Sequence, residues 1–207
     1  MRDKTEIIRK RYDRAAKYYD TIESIMERKW FSQWRKLVFT FVKGPKVLEV
    51  GVGTGKNMIY YSLDWDIVAI DFSPKMLEKA KEKVAKLQLD IDLRQMDVQH
   101  LEFTDNSFDT VVTACVFCSV PDPILGLKEI RRVLKKDGLL IMLEHVRSKK
   151  EPIGKVMDIL NPLVVGIYGA NINRNTVDNV KKAGFEIVEE KNLLIDIVKL
   201  IIAKPIK

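Results

Sequence analysis

The chain has 207 residues, 46% hydrophobic and 31% charged, a balance typical of globular proteins that excludes both intrinsic disorder and a fibrous repeat. At this length one core is expected, burying roughly 70% of the surface that the unfolded chain exposes. The net charge is +7, and residues 1 to 42 hold eleven Lys or Arg against six Asp or Glu; no apolar run nears the ~18 residues of a spanning helix, and the opening MRDKTEIIRK is no secretory signal.

Two helices are expected first. Ile7, Ile8, Tyr12, Ala15, Ala16 and Tyr19 recur at helical spacing over residues 4 to 20, and Met26, Trp30, Trp34, Leu37 and Phe41 do so over 26 to 42. Arg28, Lys29, Arg35 and Lys36 fall mostly elsewhere on the second helix. It can therefore lie peripherally in an anionic membrane interface or pack on the rest of the chain as a lid. Gly44-Pro45 then punctuates the chain, and strands and helices alternate from there, which argues for a doubly wound parallel sheet. Strands are predicted near residues 46 to 51, 66 to 71, 91 to 96, 108 to 115 and 138 to 145. Ser73 caps a helix with Pro74 at its first position, and another helix is expected over Leu125 to Lys136, stopped by Asp137-Gly138. Residues 149 to 173 fit neither period and read as an irregular insertion on the substrate side. Asn175 to Lys182 is a helix ended by Gly184, and residues 185 to 192 and 195 to 203 form a final antiparallel pair.

The chemistry begins at Val47-Leu48-Glu49-Val50-Gly51-Val52-Gly53-Thr54-Gly55-Lys56-Asn57, read as a strand, a glycine turn and the start of a helix. Gly51, Gly53 and Gly55 leave room for a ligand to approach backbone N–H groups. The apolar strand Ile67 to Ile70 then delivers Asp71 to the carboxyl edge of the sheet, where two acceptor oxygens match two vicinal ribose hydroxyls. A dinucleotide fingerprint would carry a glycine where Lys56 stands, so NAD becomes the minor reading. Cys115 and Cys118 have a metal-like spacing, but zinc needs four ligands and His100 and His145 are the only histidines. Both cysteines are therefore expected to be small buried hydrophobes, without metal and without a disulfide framework.

The glycine motif with its preceding Glu49 resembles motif I of class I S-adenosylmethionine-dependent methyltransferases. The resemblance extends over nearly the whole chain, through Tyr12 to Asp20, Leu48 to Gly55, Ile70 to Met76, Met96 to Phe103, Phe108 to Val120 and Leu139 to Val146. These stretches are similar to the ubiquinone and menaquinone methyltransferase group. The loop Cys118-Ser119-Val120-Pro121-Asp122-Pro123, the strand end Leu143-Glu144-His145-Val146, Asn161-Pro162 and Asn173-Arg174 resemble bacterial phosphatidylethanolamine N-methyltransferases and related thiol methyltransferases.

The resemblance implies a Rossmann-like α/β fold. A seven-stranded, mostly parallel sheet would end in an antiparallel hairpin, with helices on both faces and two N-terminal helices as a lid. A single methyltransferase domain would divide into residues 1–43 (lid), 44–147 (cofactor-binding core) and 148–207 (substrate-side insertion and hairpin). S-adenosyl-L-methionine is the implied cofactor. It would be met by Gly51, Gly53, Gly55 and Asn57, by Asp71, by Phe72 and Met76 around the adenine, by Asp97 and Val98 at its polar edge, and by the backbone of Ala114 and Cys115. Glu49 either orients the glycine loop or meets the cofactor amine. Tyr12 and Tyr19 either close over the cofactor or pack on the sheet. His145, Tyr19 and Tyr168 are candidate proton acceptors, His145 being equally readable as a structural histidine. The expected acceptor is an amphiphile, with a phospholipid amine ahead of a quinone precursor or a thiol. RNA, suggested by the net charge, lacks a binding module and a proline-rich tetrapeptide at Ala114 to Phe117, so no nucleic-acid partner is expected. The location implied is cytoplasmic, with peripheral contact at the inner face of the membrane through residues 26–42 as one option.

Overall fold

The computed structural model describes residues 4–18 and 27–207. Tyr19 and Met26, assigned above to the N-terminal helices, lie outside the described residues.

The first helix, α1 (Lys4–Ala15), carries the (i, i+4) pairs Lys10–Glu6 at 2.8 Å and Arg9–Asp13 at 3.2 Å. A π-helical turn (Glu27–Phe31) leads into α2 (Ser32–Phe39), whose Val38 and Phe39 are buried. Phe31, Trp34 and Leu37 pack partly buried against the same core, so the apolar face of this helix covers the sheet, leaving Trp30 exposed. Arg35, placed above among the outward charges, is buried instead, because Asn57 Oδ1 accepts from its guanidinium at 2.8 Å.

Seven strands form one sheet: β1 (Lys46–Val50), β2 (Asp66–Asp71), β3 (Asp92–Gln95), β4 (Phe108–Ala114), β5 (Leu134–His145), β6 (Phe185–Leu194) and β7 (Val198–Pro205). Their order is β3-β2-β1-β4-β5-β7-β6, with β1 to β5 parallel to one another and β7 antiparallel to both of its neighbours, β5 and β6. The winding reverses between β1 and β4, and in such sheets the crevice at the carboxyl ends of that pair is where ligands bind.

Alternation along the strands fills two cores. Leu48, Val50, Ile70, Val111, Leu140 and Met142 face α4 (Pro123–Val133) and α6 (Thr176–Lys182). Val47, Ala69, Val112, Ile141 and Leu143 face α2 and α3 (Pro74–Leu87). Helices α3 and α4 each start on a side-chain cap followed by proline: Ser73 Oγ accepts from Met76 N at 3.1 Å, and Asp122 Oδ1 accepts from Ile124 and Leu125 N at 3.1 and 3.0 Å.

The structure corrects four expectations. After the glycine turn there is only a single 3-10 turn, Met58–Tyr60, because Tyr61 leaves the helical conformation and donates its hydroxyl to buried Glu49. No helix joins β3 to β4; Arg132 instead ties down the irregular connection through the carbonyls of Leu101 and Phe103 at 2.7 and 2.6 Å. The helix ending at Val133 is shorter than expected, since Leu134 is drawn into the sheet opposite Phe108 and Lys135 pairs with Asp109 at 2.6 Å. Residues expected to be irregular form α5 (Glu151–Tyr168), with Pro162 inside it and Gly169 closing it at φ 80°.

Candidate functional site

At the carboxyl edge of β1, β2 and β4 lies an open cavity of about 680 Å³, counting the solvent space at its mouth. Of the residues singled out from the sequence, Tyr12, Gly51, Gly53, Asp71, Phe72, Met76, Asp97, Val98, Ala114 and Cys115 line it. Glu49, Gly55 and Asn57 are not among its lining residues, and neither is His145.

The glycine loop is held to β2. Gly51 N and Val52 N donate to Ile70 O at 2.8 and 3.0 Å, and Gly53 N donates to Asp71 Oδ2 at 2.9 Å. The loop's N–H groups at 51 and 53 are thus engaged within the protein, and the loop presents bare glycine backbone to the cavity rather than open donors. Gly51, at φ 72°, has no room for a side chain, because a Cβ would come within 2.4 Å of Val116. Gly53, at φ 55°, has only open space where its Cβ would be. A flat or extended group can lie against the backbone there. A single 3-10 turn follows in place of the expected helix, so the loop offers this bare surface and no helix N-terminus.

Asp71 closes the loop from the other side: its Oδ1 accepts from Ser73 N at 2.8 Å while Oδ2 holds Gly53. Burial pushes its carboxyl up to about 6, against the pull of those two backbone donors. Each oxygen keeps acceptor capacity for a hydroxyl. Asp97 is fixed by Gln99, whose backbone N and side-chain amide donate to its two oxygens, each at 2.9 Å.

Behind the loop Glu49 anchors a buried network. It accepts from Asn57 Nδ2 at 2.8 Å and from the Tyr61 hydroxyl, and Arg35 donates to Asn57. Burial raises Glu49 to about 7. Of the two roles left open for Glu49, this geometry corresponds to orienting the loop, and Asn57 lies in the same network behind it.

The opposite wall comes from the segment after β4 and from α1. Cys115 adopts φ 57°, a left-handed conformation rare for a non-glycine residue and typical of functional turns. Its N–H donates to Leu143 O at 2.8 Å. Glu144, fully buried at the end of β5, receives Val116 N at 3.0 Å, Phe117 N at 3.3 Å and Thr113 Oγ1 at 3.1 Å, all on Oε1. Its Oε2 is buried without a partner, and burial raises the carboxyl to about 7. Cys118 is buried, with its thiol pushed up to about 12, which leaves it unreactive at neutral pH.

Sequence reasoning missed Thr5, Val116, Ser119, Val120 and Pro121, which complete this wall. Tyr12 and Ser119 share a hydrogen bond of 2.5 Å, and Tyr12 meets Phe72 edge-on at 5.6 Å between ring centroids. Asp13 accepts from Ser73 Oγ at 2.6 Å, so α1 is fixed across both walls. The only signal for Ser119 was the Cys118 to Pro123 loop, noted for its resemblance without a role.

His145 ends β5 opposite Val198, its Nδ1 buried without a hydrogen bond from another residue and its pKa lowered by burial. It stands outside the residues that line the cavity. Tyr168 is the last residue of α5, and its side chain, like Tyr19, lies outside what is described.

A family model described as a methyltransferase domain matches residues 48–142. The phosphatidylethanolamine N-methyltransferase of Cereibacter sphaeroides is 41% identical over 116 residues, which are 55% of this chain and 57% of that protein. The chain thus spans little more than half of that relative. The demethylmenaquinone methyltransferase of Staphylococcus aureus is 36% identical over 171 residues, 79% of this chain and 70% of that protein. Among solved structures, a possible histamine N-methyltransferase of Thermotoga maritima superposes with a TM-score of 0.71 at 24% identity, covering 95% of this chain and 99% of that one. The [4+2]-cyclase SpnF superposes with a TM-score of 0.70 at 19% identity, covering 84% and 82%. The fold is common to both, and the fold alone does not dictate a reaction.

Proposed function

This chain belongs to the class I S-adenosylmethionine-dependent methyltransferases, and we propose that its acceptor is the head-group amine of a phospholipid of the phosphatidylethanolamine type. The observation that carries this reading is the chemistry of the wall formed by Thr5, Tyr12, Val116, Ser119, Val120 and Pro121. Apart from hydroxyl groups it is apolar, and no His, Lys or Arg lines the cavity among the described residues.

Bound in the cavity, S-adenosylmethionine would supply an electrophilic sulfonium methyl. Asp71 would accept from the ribose hydroxyls, Gly53 would give the backbone surface the cofactor lies against, and Phe72 and Met76 would flank the adenine. Asp97 and the Val98 N–H would meet its polar edge. Ala114 and Cys115 would border the methyl-bearing end, and Glu49 and Asn57 would hold the loop from behind.

An amine reacts through its lone pair, which protonation ties up. An apolar wall disfavours the ammonium and lowers its pKa, so Val116, Val120 and Pro121 would raise the neutral fraction at the site. The Tyr12–Ser119 hydroxyl pair would then position the amine in line and relay its proton outward. A quinol ring carbon asks for a stronger base to remove the phenolic proton as the new bond forms, and the wall offers none among the described residues. The 41% identity to a phosphatidylethanolamine N-methyltransferase supports the amine reading. The longer match to a demethylmenaquinone methyltransferase favours a quinone precursor as the second reading.

Incubation with methyl-labelled cofactor and a total lipid extract separates the two. Label in aminophospholipids is the expected result, label in the quinone fraction selects the second reading, and label confined to water-soluble products rejects both.

A further inference from the structure

Helix α5 is apolar on both sides, yet the protein covers only one of them. Its inner side, with Gly154 buried and Ile153, Met157, Val164 and Val165 partly so, packs on the molecule. The outer side carries Val156, Ile159, Leu160, Leu163 and Ile167, with Ile159 77%, Leu163 63% and Ile167 60% exposed. A helix that is apolar all round belongs either in a core or in contact with lipid, and a contiguous exposed apolar stripe of this kind marks an interaction surface. No described helix is long and apolar enough to cross a membrane, so α5 would have to lie in the plane of an interface.

The charges around the stripe select the occupant. Glu151 and Asp158, the acidic residues of α5, are both engaged by Arg147, at 3.3 and 2.9 Å. Lys149, Lys150 and Lys155 are exposed and form no ion pair among the described residues. The neighbouring α1, whose Arg11 donates to Val165 O, adds exposed Arg14, and exposed Lys17 follows just past its end. A second copy of this chain, itself at +7, would bring like charge to this rim, whereas an anionic bilayer brings the opposite.

The helix is also joined to the cavity. Asn161 Oδ1 accepts from Ile172 N at 2.9 Å, and Asn171 donates from both its backbone and its side chain to Cys118 O, at 2.8 and 3.1 Å, next to the cavity residue Ser119. We infer that α5 is an in-plane docking helix that seats the enzyme on an anionic lipid surface, with the acceptor side of the cavity at the membrane. Of the amphipathic segment suggested by periodicity, Phe31, Trp34, Leu37 and Phe41 pack against the core, while Trp30 is exposed. The docking deepens the amphiphile reading by giving the acceptor a route, but it is testable without any acceptor.

The full chain is co-sedimented with vesicles of phosphatidylcholine and phosphatidylglycerol, which contain neither ethanolamine lipid nor quinone. The wild type should bind these, bind pure phosphatidylcholine weakly, and lose binding as salt rises. Ile159→Asp with Leu163→Asp should weaken partitioning by about 100-fold or more, and each of Lys149→Gln, Lys150→Gln and Lys155→Gln by about fivefold. Hydrogen exchange on the wild type, which needs no variant to fold, should show protection of residues 151–168 when vesicles are added. The inference is overturned by absent vesicle binding, by binding without protection of α5, or by a lipid-free dimer that the double variant dissociates. If docking holds and no aminophospholipid is labelled, the acceptor assignment alone fails.

Discussion

The two walls of the cavity are built by opposite means. The wall assigned to the cofactor is assembled from strand ends and their turns, with Gly53 N and Asp71 only 18 positions apart and the loop fixed by backbone donors. The acceptor wall is assembled from segments remote in sequence: Tyr12 and Ser119 are separated by 107 positions, and Asn171, which holds the Cys118 carbonyl beside Ser119, is 53 positions from Cys118. The first is a local device that recurs wherever strand, glycine turn and acidic strand end recur. The second depends on where α1, α5 and the 115–121 segment meet, so it can be remodelled without disturbing the first. That separation explains how a demethylmenaquinone methyltransferase and a phosphatidylethanolamine N-methyltransferase can both resemble one chain.

If the walls are separable, a variant on one should leave the other intact. The largest effect is expected at Asp71, whose carboxylate would lose two ribose hydroxyls together with its hold on Gly53 N. Charge-assisted hydrogen bonds contribute about 1.5–3 kcal/mol each, so Asp71→Ala should weaken cofactor binding on the order of 1000-fold by calorimetry. Asp71→Asn, which keeps one acceptor for Gly53 or Ser73, should lose less. Binding within about fivefold of wild type for the alanine variant would remove Asp71 from the site.

A second test bears on Glu144, the buried carboxyl that shapes the acceptor wall. Its folded pKa is raised to about 7 by burial, above its value in the unfolded chain of about 4.3. The folded state therefore keeps a proton that the unfolded state releases, and stability contributed by that proton is lost as pH rises between those two values. The share is on the order of 3 kcal/mol for one such carboxyl. In Glu144→Gln the Oε1 acceptor for Val116 and Phe117 remains, while the orphaned oxygen becomes an amide that does not titrate. Urea unfolding at pH 4.5 and pH 8 should show a smaller loss of stability for the variant than for the wild type. Equal losses would mean that Glu144 ionises freely in the fold. Asp71 and Glu49 shift in the same direction, so part of the slope should persist.

The same asymmetry decided what was legible in the sequence. Gly51, Gly53 and Asp71 could be placed because apolar strands leave a period and their contacts are local. The mostly parallel sheet with its terminal hairpin followed from alternation and resemblance together, whereas the order of its strands is a finding of the structure. Helix α5 was not legible, because an apolar period is visible only against a polar opposite face, and Gly154, Pro162 and Gly166 interrupt the stretch. Leu134 and Lys135 continue the period of α4 but are claimed by Phe108 and Asp109 across the sheet. Asn57 and Tyr61 read as the opening of a helix, while their side chains turn inward to the buried carboxylate of Glu49. Ser119 carried no mark beyond the resemblance of its loop, since its partner stands on the first helix.

The smallest expected effect is also the sharpest test of the division. Tyr12→Phe preserves the edge-on contact with Phe72 and removes only the hydroxyl that meets Ser119. If that pair acts on the acceptor, kcat should fall about tenfold, a modest share of what a positioned proton-transfer group contributes, while cofactor affinity stays within about twofold. Ser119→Ala should do the same, and because each hydroxyl acts through the other, the double variant should be hardly worse than either single one. Strict additivity would mean that the two hydroxyls act separately. A loss of cofactor affinity as large as the loss of kcat would move Tyr12 to the cofactor wall. In that case the first helix would serve both walls, and acceptor choice could not change without also changing how the cofactor is held.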